Sequence, residues 1–126
     1  INPSFRHCDN LEVLLNASRF VCLACNLSSE NYHLMNDKTL GLMLDGSYLI
    51  NVARGQLVKE EALIKHIKSG HILGAGLDVF EVEPLPISSP LRRMKNVILG
   101  SHNANNVASV VEAVHTNTLN NLFNFV

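Results

Sequence analysis

The sequence carries no excess of either charge. Ten Lys+Arg stand against 11 Asp+Glu, with six His, and charged residues make up 17% of the 126, below the roughly 25% usual for soluble domains. That balance excludes a basic surface built to neutralise phosphates, and with it nonspecific nucleic-acid binding as the function. Long apolar runs are also missing: Asp, Asn, Lys or Arg interrupts every candidate before the roughly 18 to 20 residues a bilayer span needs. A soluble chain with no membrane partner is expected. Proline is scarce, at four residues, while Val, Ile, Leu and Phe are abundant, which excludes a disordered tail. The first residue is Ile1 and no charged segment precedes an apolar stretch, so no signal peptide is visible and the native chain is expected to start upstream.

Cysteine is the next scarcity. Cys8, Cys22 and Cys25 are too few, and odd in number, for a disulfide framework, and a reducing, cytoplasmic setting follows. Cys22 and Cys25 have the C-x-x-C spacing of a redox pair or half a zinc site. Their flanks, Phe20-Val21-Cys22-Leu23-Ala24-Cys25, read instead as a buried strand. No second C-x-x-C or H-x-H accompanies them, so both are expected to be core cysteines, with no metal site.

What is present fills one globular domain with a real core. Asp9 to Ser18 places Leu11, Leu14 and Leu15 at helical spacing, and Phe20 to Cys25 is a continuous apolar run of strand length followed by turn residues. Asn36-Asp37 caps a short helix over Lys38 to Met43, and Ser47 to Val52 is a second strand. Val58 to Ser69 is the clearest helix, with Leu63, Ile64 and Ile67 on one side and Gly70 as its stop. Ile72 to Val79 is a third strand, Pro84, Pro86 and Pro90 break a loop, Asn96 to Leu99 is a fourth strand, and Asn105 to Phe123 is a long helix. Alternating strands and helices, with nearly all-apolar strands, predict an α/β fold whose parallel sheet is covered on both faces.

In such folds the residues just beyond the strand carboxyl ends bind ligands. Here they are Ala53-Arg54-Gly55, Asp78 to Pro84 and Ser101-His102-Asn103. Taken singly, Arg54 suits a salt bridge, Glu83 a solvated loop and His102 an ordinary histidine. Placed on one sheet edge, they supply a fork for a carboxylate, a carboxylate and an imidazole: an acid-base centre for a substrate with a carboxylate beside a carbonyl or hydroxyl. The other histidines, His7, His33, His66, His71 and His115, show no acidic partner at useful spacing and are read as surface or packing residues.

N-V-A-R-G-Q-L-V-K-E-E-A-L at 51 to 63, S-G-H-I-L-G-A-G-L-D-V-F-E-V-E-P-L-P at 69 to 86 and N-V-I-L-G-S-H at 96 to 102 resemble the nucleotide-binding domain of the D-isomer-specific 2-hydroxyacid dehydrogenases. The resemblance implies that Arg54 anchors the substrate carboxylate, that His102 is the acid-base, and that Glu83, directly before Pro84, pairs with it, Glu81 being the rival. It implies that Asp78 bonds the nicotinamide carboxamide and that Val52, Ala53 and Arg54 line the cofactor. Asn26 and the segment from His102 through Asn103, Ala104 and Asn105 are implied cofactor contacts as well.

Four departures qualify the match. The seven glycines never form G-x-G-x-x-G; the resemblance places that turn before Ile1, so the fold expected is a partial doubly wound Rossmann-type sheet lacking its first strand-turn-helix unit. Asn2 stands where the family has a ribose-binding acid, which leaves NADP open beside NAD. The family's H-x-P-L appears as Ala24-Cys25-Asn26-Leu27, and N-A-N-N follows His102, a hint of 3-phosphoglycerate. The implied protein is an NAD-dependent oxidoreductase, a homodimer at full length, with a substrate domain outside this chain and no activity in the fragment alone. The alternative is an NAD(H)-sensing, corepressor-like binding module of the same fold.

Overall fold

The computed structural model describes residues 7–104 and 108–123. Asn2, Asn105 and the expected first turn of the last helix lie outside those residues. The elements are α1 (Leu11–Ala17), β1 (Phe20–Leu23), α2 (Asp37–Gly41), β2 (Ser47–Asn51), α3 (Glu60–Lys68), β3 (Ile72–Leu77), β4 (Val97–Leu99) and α4 (Ala108–Phe123). Short 3-10 turns occupy Gly55–Leu57 and Pro90–Arg93. The four strands form one parallel sheet in the order β1-β2-β3-β4.

Local chemistry sets the element ends. Asn36 accepts from the N–H groups of Lys38 and Thr39 while Thr39 Oγ1 accepts from the Asn36 N–H, a reciprocal capping box that starts α2. Asn10 does the same singly for α1 through the Glu12 N–H. Helix α3 ends where Gly70 takes a φ of 82°, a left-handed stop that favours glycine. Glu60 and Glu61 open that helix and Lys65, His66 and Lys68 close it, in line with the helix dipole.

One face of the sheet holds the core. Val21 and Leu23, Leu49, and Ala75 and Leu77 pack with Leu15 of α1, Leu40 of α2 and Leu63 and Ile67 of α3 in a single buried cluster. The opposite face departs from the expectation of a sheet covered on both sides: among the described residues it is open. Phe20 pairs in register with Tyr48, their rings stacked 5.1 Å apart, and Gly76 registers between Ile50 and Ile98. Phe20 is 65% exposed and Ile98 78%. The burial of β1 alternates, as in a strand buried on one side only. This overturns the reading of core cysteines: Cys22 sits on the open face and Cys25 in the segment beyond β1, and both thiols are exposed. Among the described residues, no helix is long and apolar enough to cross a membrane.

Candidate active site

Arg54 is presented by a turn that a buried asparagine builds. Asn51, 1% exposed at the end of β2, accepts the Ala53 N–H through Oδ1 at 3.1 Å and donates from Nδ2 to the Arg54 carbonyl at 2.9 Å. The Asn side chain thus closes the turn over itself. The side chain of Arg54 is exposed and folds back on its own turn, where Nη1 donates to the Ala53 carbonyl at 2.6 Å. Sequence reasoning missed Asn51. The available signal was a polar amide closing an otherwise apolar strand directly before Arg54.

The strand ends are then tied in series. The Asp78 N–H donates to the Asn51 carbonyl at 3.0 Å, the Gly100 N–H to Leu77 at 2.7 Å, and the His102 N–H to Asp78 at 2.8 Å. The Asp78 carboxylate accepts the N–H groups of Asn103 and Ala104, at 3.2 and 2.8 Å. A Cβ on Gly100 would lie 2.2 Å from Asp78 Oδ1, so this turn closes only around glycine. Asp78 therefore braces the turn that carries His102, a role the sequence did not suggest. His102 itself has a φ of 58°, a left-handed conformation that costs a non-glycine residue about 1–2 kcal/mol and concentrates at functional positions.

Glu83, and not Glu81, meets His102: Oε2 lies 2.8 Å from His102 Nδ1. Its other oxygen accepts the Phe80 N–H at 3.0 Å. These bonds, with lesser help from the charges of His102 and Arg54, hold the Glu83 carboxyl below its ordinary value of 4.5 against a small opposing effect of burial. An ionised carboxylate only accepts, so Nδ1 carries the proton and Nε2 points away from the pair. The pair is more open than the buried carboxylate expected from the sequence, with side chains 48% and 36% exposed.

Two clefts flank this edge. One, of about 590 Å³, contains Glu83 and His102 against Phe80, Pro84, Leu85 and Leu99. The other, of about 500 Å³, is lined by Cys25, Asn26, Leu27, Val52, Ala53 and Arg54. Of the residues assigned by resemblance, Asn26, Val52, Ala53 and Arg54 share the second cleft, and Glu83 and His102 share the first. Asp78 underlies the His102 turn, with Asn103 and Ala104 exposed on it. The view that the other histidines lack acidic partners is corrected by the fold. His33 pairs with Glu81 at 2.5 Å, His66 with Asp37 at 3.1 Å, His71 with Asp45 at 3.6 Å and His7 with Asp9 at 2.9 Å. Three of these partners are distant in sequence, and only tertiary structure brings them near.

Comparison with known proteins agrees with the parallel α/β fold. The family model described as "D-isomer specific 2-hydroxyacid dehydrogenase, NAD binding domain" matches residues 3–104. The chain is 48% identical over 93 residues to a glyoxylate reductase of Thermofilum pendens, covering 74% of this chain and 27% of that protein. It is 47% identical over 97 residues to a glyoxylate/hydroxypyruvate reductase B of Escherichia coli, covering 77% and 30%. A crystal structure of a D-isomer specific 2-hydroxyacid dehydrogenase from Xanthobacter autotrophicus Py2 in complex with NADPH and MES superposes with a TM-score of 0.72 at 48% identity, over 73% of this chain and 29% of that one. The chain thus spans less than a third of the length of these relatives. Over the matched residues, it belongs to the D-isomer specific 2-hydroxyacid dehydrogenases, as part of their NAD-binding domain.

Proposed function

We propose that this chain is the C-terminal part of the cofactor domain of an NAD(P)-dependent reductase of short 2-keto acids, with the glycine-rich turn and the substrate domain on other parts of the polypeptide. The observation that carries the reading is the His102–Glu83 pair at 2.8 Å, held on the same sheet edge as Arg54. When bound, the nicotinamide supplies or accepts the hydride.

The second cleft fits such a group. Leu27 and Val52 offer an apolar wall and the Asn26 amide offers a donor and an acceptor at its rim, a combination suited to a flat ring bearing a carboxamide. Arg54 offers a planar fork for the substrate carboxylate. His102 Nε2 faces outward to give a proton to the carbonyl oxygen, or take one from the hydroxyl, while Glu83 balances the imidazolium. The Asn51 and Asp78 ties fix both groups before substrate arrives, so little reorganisation is left to the reaction.

The names of the relatives at 47% and 48% identity favour glyoxylate and hydroxypyruvate over 3-phosphoglycerate as the substrate class. They also favour a catalyst over a corepressor-like module. The test is oxidation of NADH and of NADPH by the full-length protein with glyoxylate, hydroxypyruvate, pyruvate and 3-phosphohydroxypyruvate. Turnover with the two small acids is expected. Nucleotide binding without turnover on any of the four would instead support the sensing module.

A further inference from the structure

Two loops meet behind the site. The first runs from Arg54 into α3, and the second from Phe80 to Glu83. Their backbones touch at Gly55, where a Cβ would lie 1.8 Å from the Phe80 carbonyl oxygen. Around that contact, every polar group of Glu81 is taken. Its N–H donates to Glu60 Oε1 at 2.7 Å, and its Oε2 accepts the Glu60 N–H at 2.7 Å. Its carbonyl accepts from Gln56 Nε2 at 3.3 Å, and its Oε1 lies 2.5 Å from His33 Nε2. His33 is anchored in turn: its N–H donates to the Gln56 carbonyl at 2.8 Å, and its carbonyl accepts from Asn36 Nδ2 at 3.0 Å. Its φ of 54° is left-handed, like that of His102.

A surface acid with no task beyond solubility does not use both oxygens, its N–H and its carbonyl on three different partners. Glu60 bears a cost for its part, because burial pushes its carboxyl above the ordinary value; the Glu81 N–H bond opposes that rise in part, and the Glu81 charge adds to it. From Glu81 the chain reaches Glu83 in two residues, and the Phe80 N–H bond to Glu83 Oε1 closes that stretch into one small turn. Whatever holds Glu81 therefore sets where Glu83 stands relative to Arg54.

We propose that Glu60 and Glu81, with His33 behind them, are positioning residues that lock the Glu83 turn to the Arg54 loop, so that the acid-base pair and the carboxylate anchor keep one fixed separation. This rests on the catalytic reading of Arg54, Glu83 and His102 given above. Neither Glu60 nor Glu81 touches substrate or cofactor in this role; they act through Glu83.

The test uses the full-length enzyme. Glu60→Ala removes the acceptor of the Glu81 N–H, Glu60→Gln keeps it, and Glu81→Ala removes both side-chain ties. In the two alanine variants, kcat with the 2-keto acid should fall about 10- to 100-fold, the scale of a small misplacement of reacting groups. NADH affinity by fluorescence titration should hold. The acidic limb of the kcat profile should move to higher pH, because a loosened Glu83 loses the His102 bond that keeps its carboxyl low. Glu60→Gln should restore both kcat and the limb. Should Glu81→Ala not yield folded protein, Glu60→Ala reads the same clamp.

Lower melting temperatures with unchanged kcat per folded molecule and an unmoved acidic limb would overturn the proposal, because a purely structural role predicts that outcome. Glu83→Gln, assayed alongside, separates the two levels. If Glu83→Gln loses activity and Glu60→Ala does not, only the positioning role falls. If both keep it, the catalytic reading of Glu83 falls as well.

Discussion

His102 with Glu83 and His33 with Glu81 are the same chemical pair, built from glutamates two residues apart in one loop. They differ in which ring nitrogen is committed. His102 gives Nδ1 to its glutamate, which leaves the outer nitrogen facing a cleft. His33 gives Nε2, turns the inner nitrogen back toward its own backbone, and lies against the Tyr32 ring at 4.1 Å. The side chains of the second pair are 25% and 24% exposed, against 48% and 36% for the first. Proximity of an imidazole to a carboxylate is thus no mark of catalysis by itself. On the proposed reading, the free outer nitrogen lets the first pair exchange a proton with substrate, and its consumption leaves the second pair a brace.

The largest effect expected from breaking the symmetry is in His102→Ala, which should lower kcat of the full-length enzyme about 100- to 10,000-fold. His33→Ala should leave far more activity, and steady-state NADH oxidation at pH 7 compares them. Equal losses would erase the distinction between the pairs. Next comes Gly55→Ala, which drives a methyl into the Phe80 carbonyl and should cost about 3 kcal/mol of stability in urea unfolding.

Glu83→Gln should reduce kcat about 10- to 100-fold and flatten the acidic limb of its pH profile. The folded Glu83 carboxyl is low, so the stability it contributes is present above the unfolded value of 4.5 and is lost as pH falls through the lower folded value. Its melting temperature should therefore converge with that of wild type in strong acid.

The smallest effect carries the opposite sign. Glu60 is raised by burial, so its ionisation opposes folding once pH rises from 4.5 through the folded value. Glu60→Gln keeps the acceptor for the Glu81 N–H and should raise the melting temperature slightly at pH 7. The gain should disappear near pH 4.

Much of this arrangement was legible in the sequence, because strand ends are local. The apolar runs located all four strands to within two residues at either end, and Arg54 and His102 lie three residues beyond such ends and Glu83 six. The choice of Glu83 over Glu81 came from the family resemblance, in which the acid stands directly before a Pro, and Glu83 is the one that meets His102. What was not legible depends on contacts between distant segments. His33 finds Glu81 across 48 residues, and no spacing rule announces that. Cys22 was read as buried because its neighbours are apolar, yet alternation along β1 turns every second side chain to the open face. The brace by Asp78 was missed because its partners are backbone N–H groups, which every sequence has.

The open face has a consequence of a different kind. Phe20, Tyr48, Ile50 and Ile98 lie on one side of the sheet with Cys22 among them, and Phe20 and Ile98 are exposed there. Contiguous apolar area of that sort is sticky in water. For anyone expressing these 126 residues alone, the first property to manage is colloidal: sheet faces of separate molecules offer one another cover that the described residues do not supply, and an exposed thiol stands ready to make the association covalent on oxidation in air.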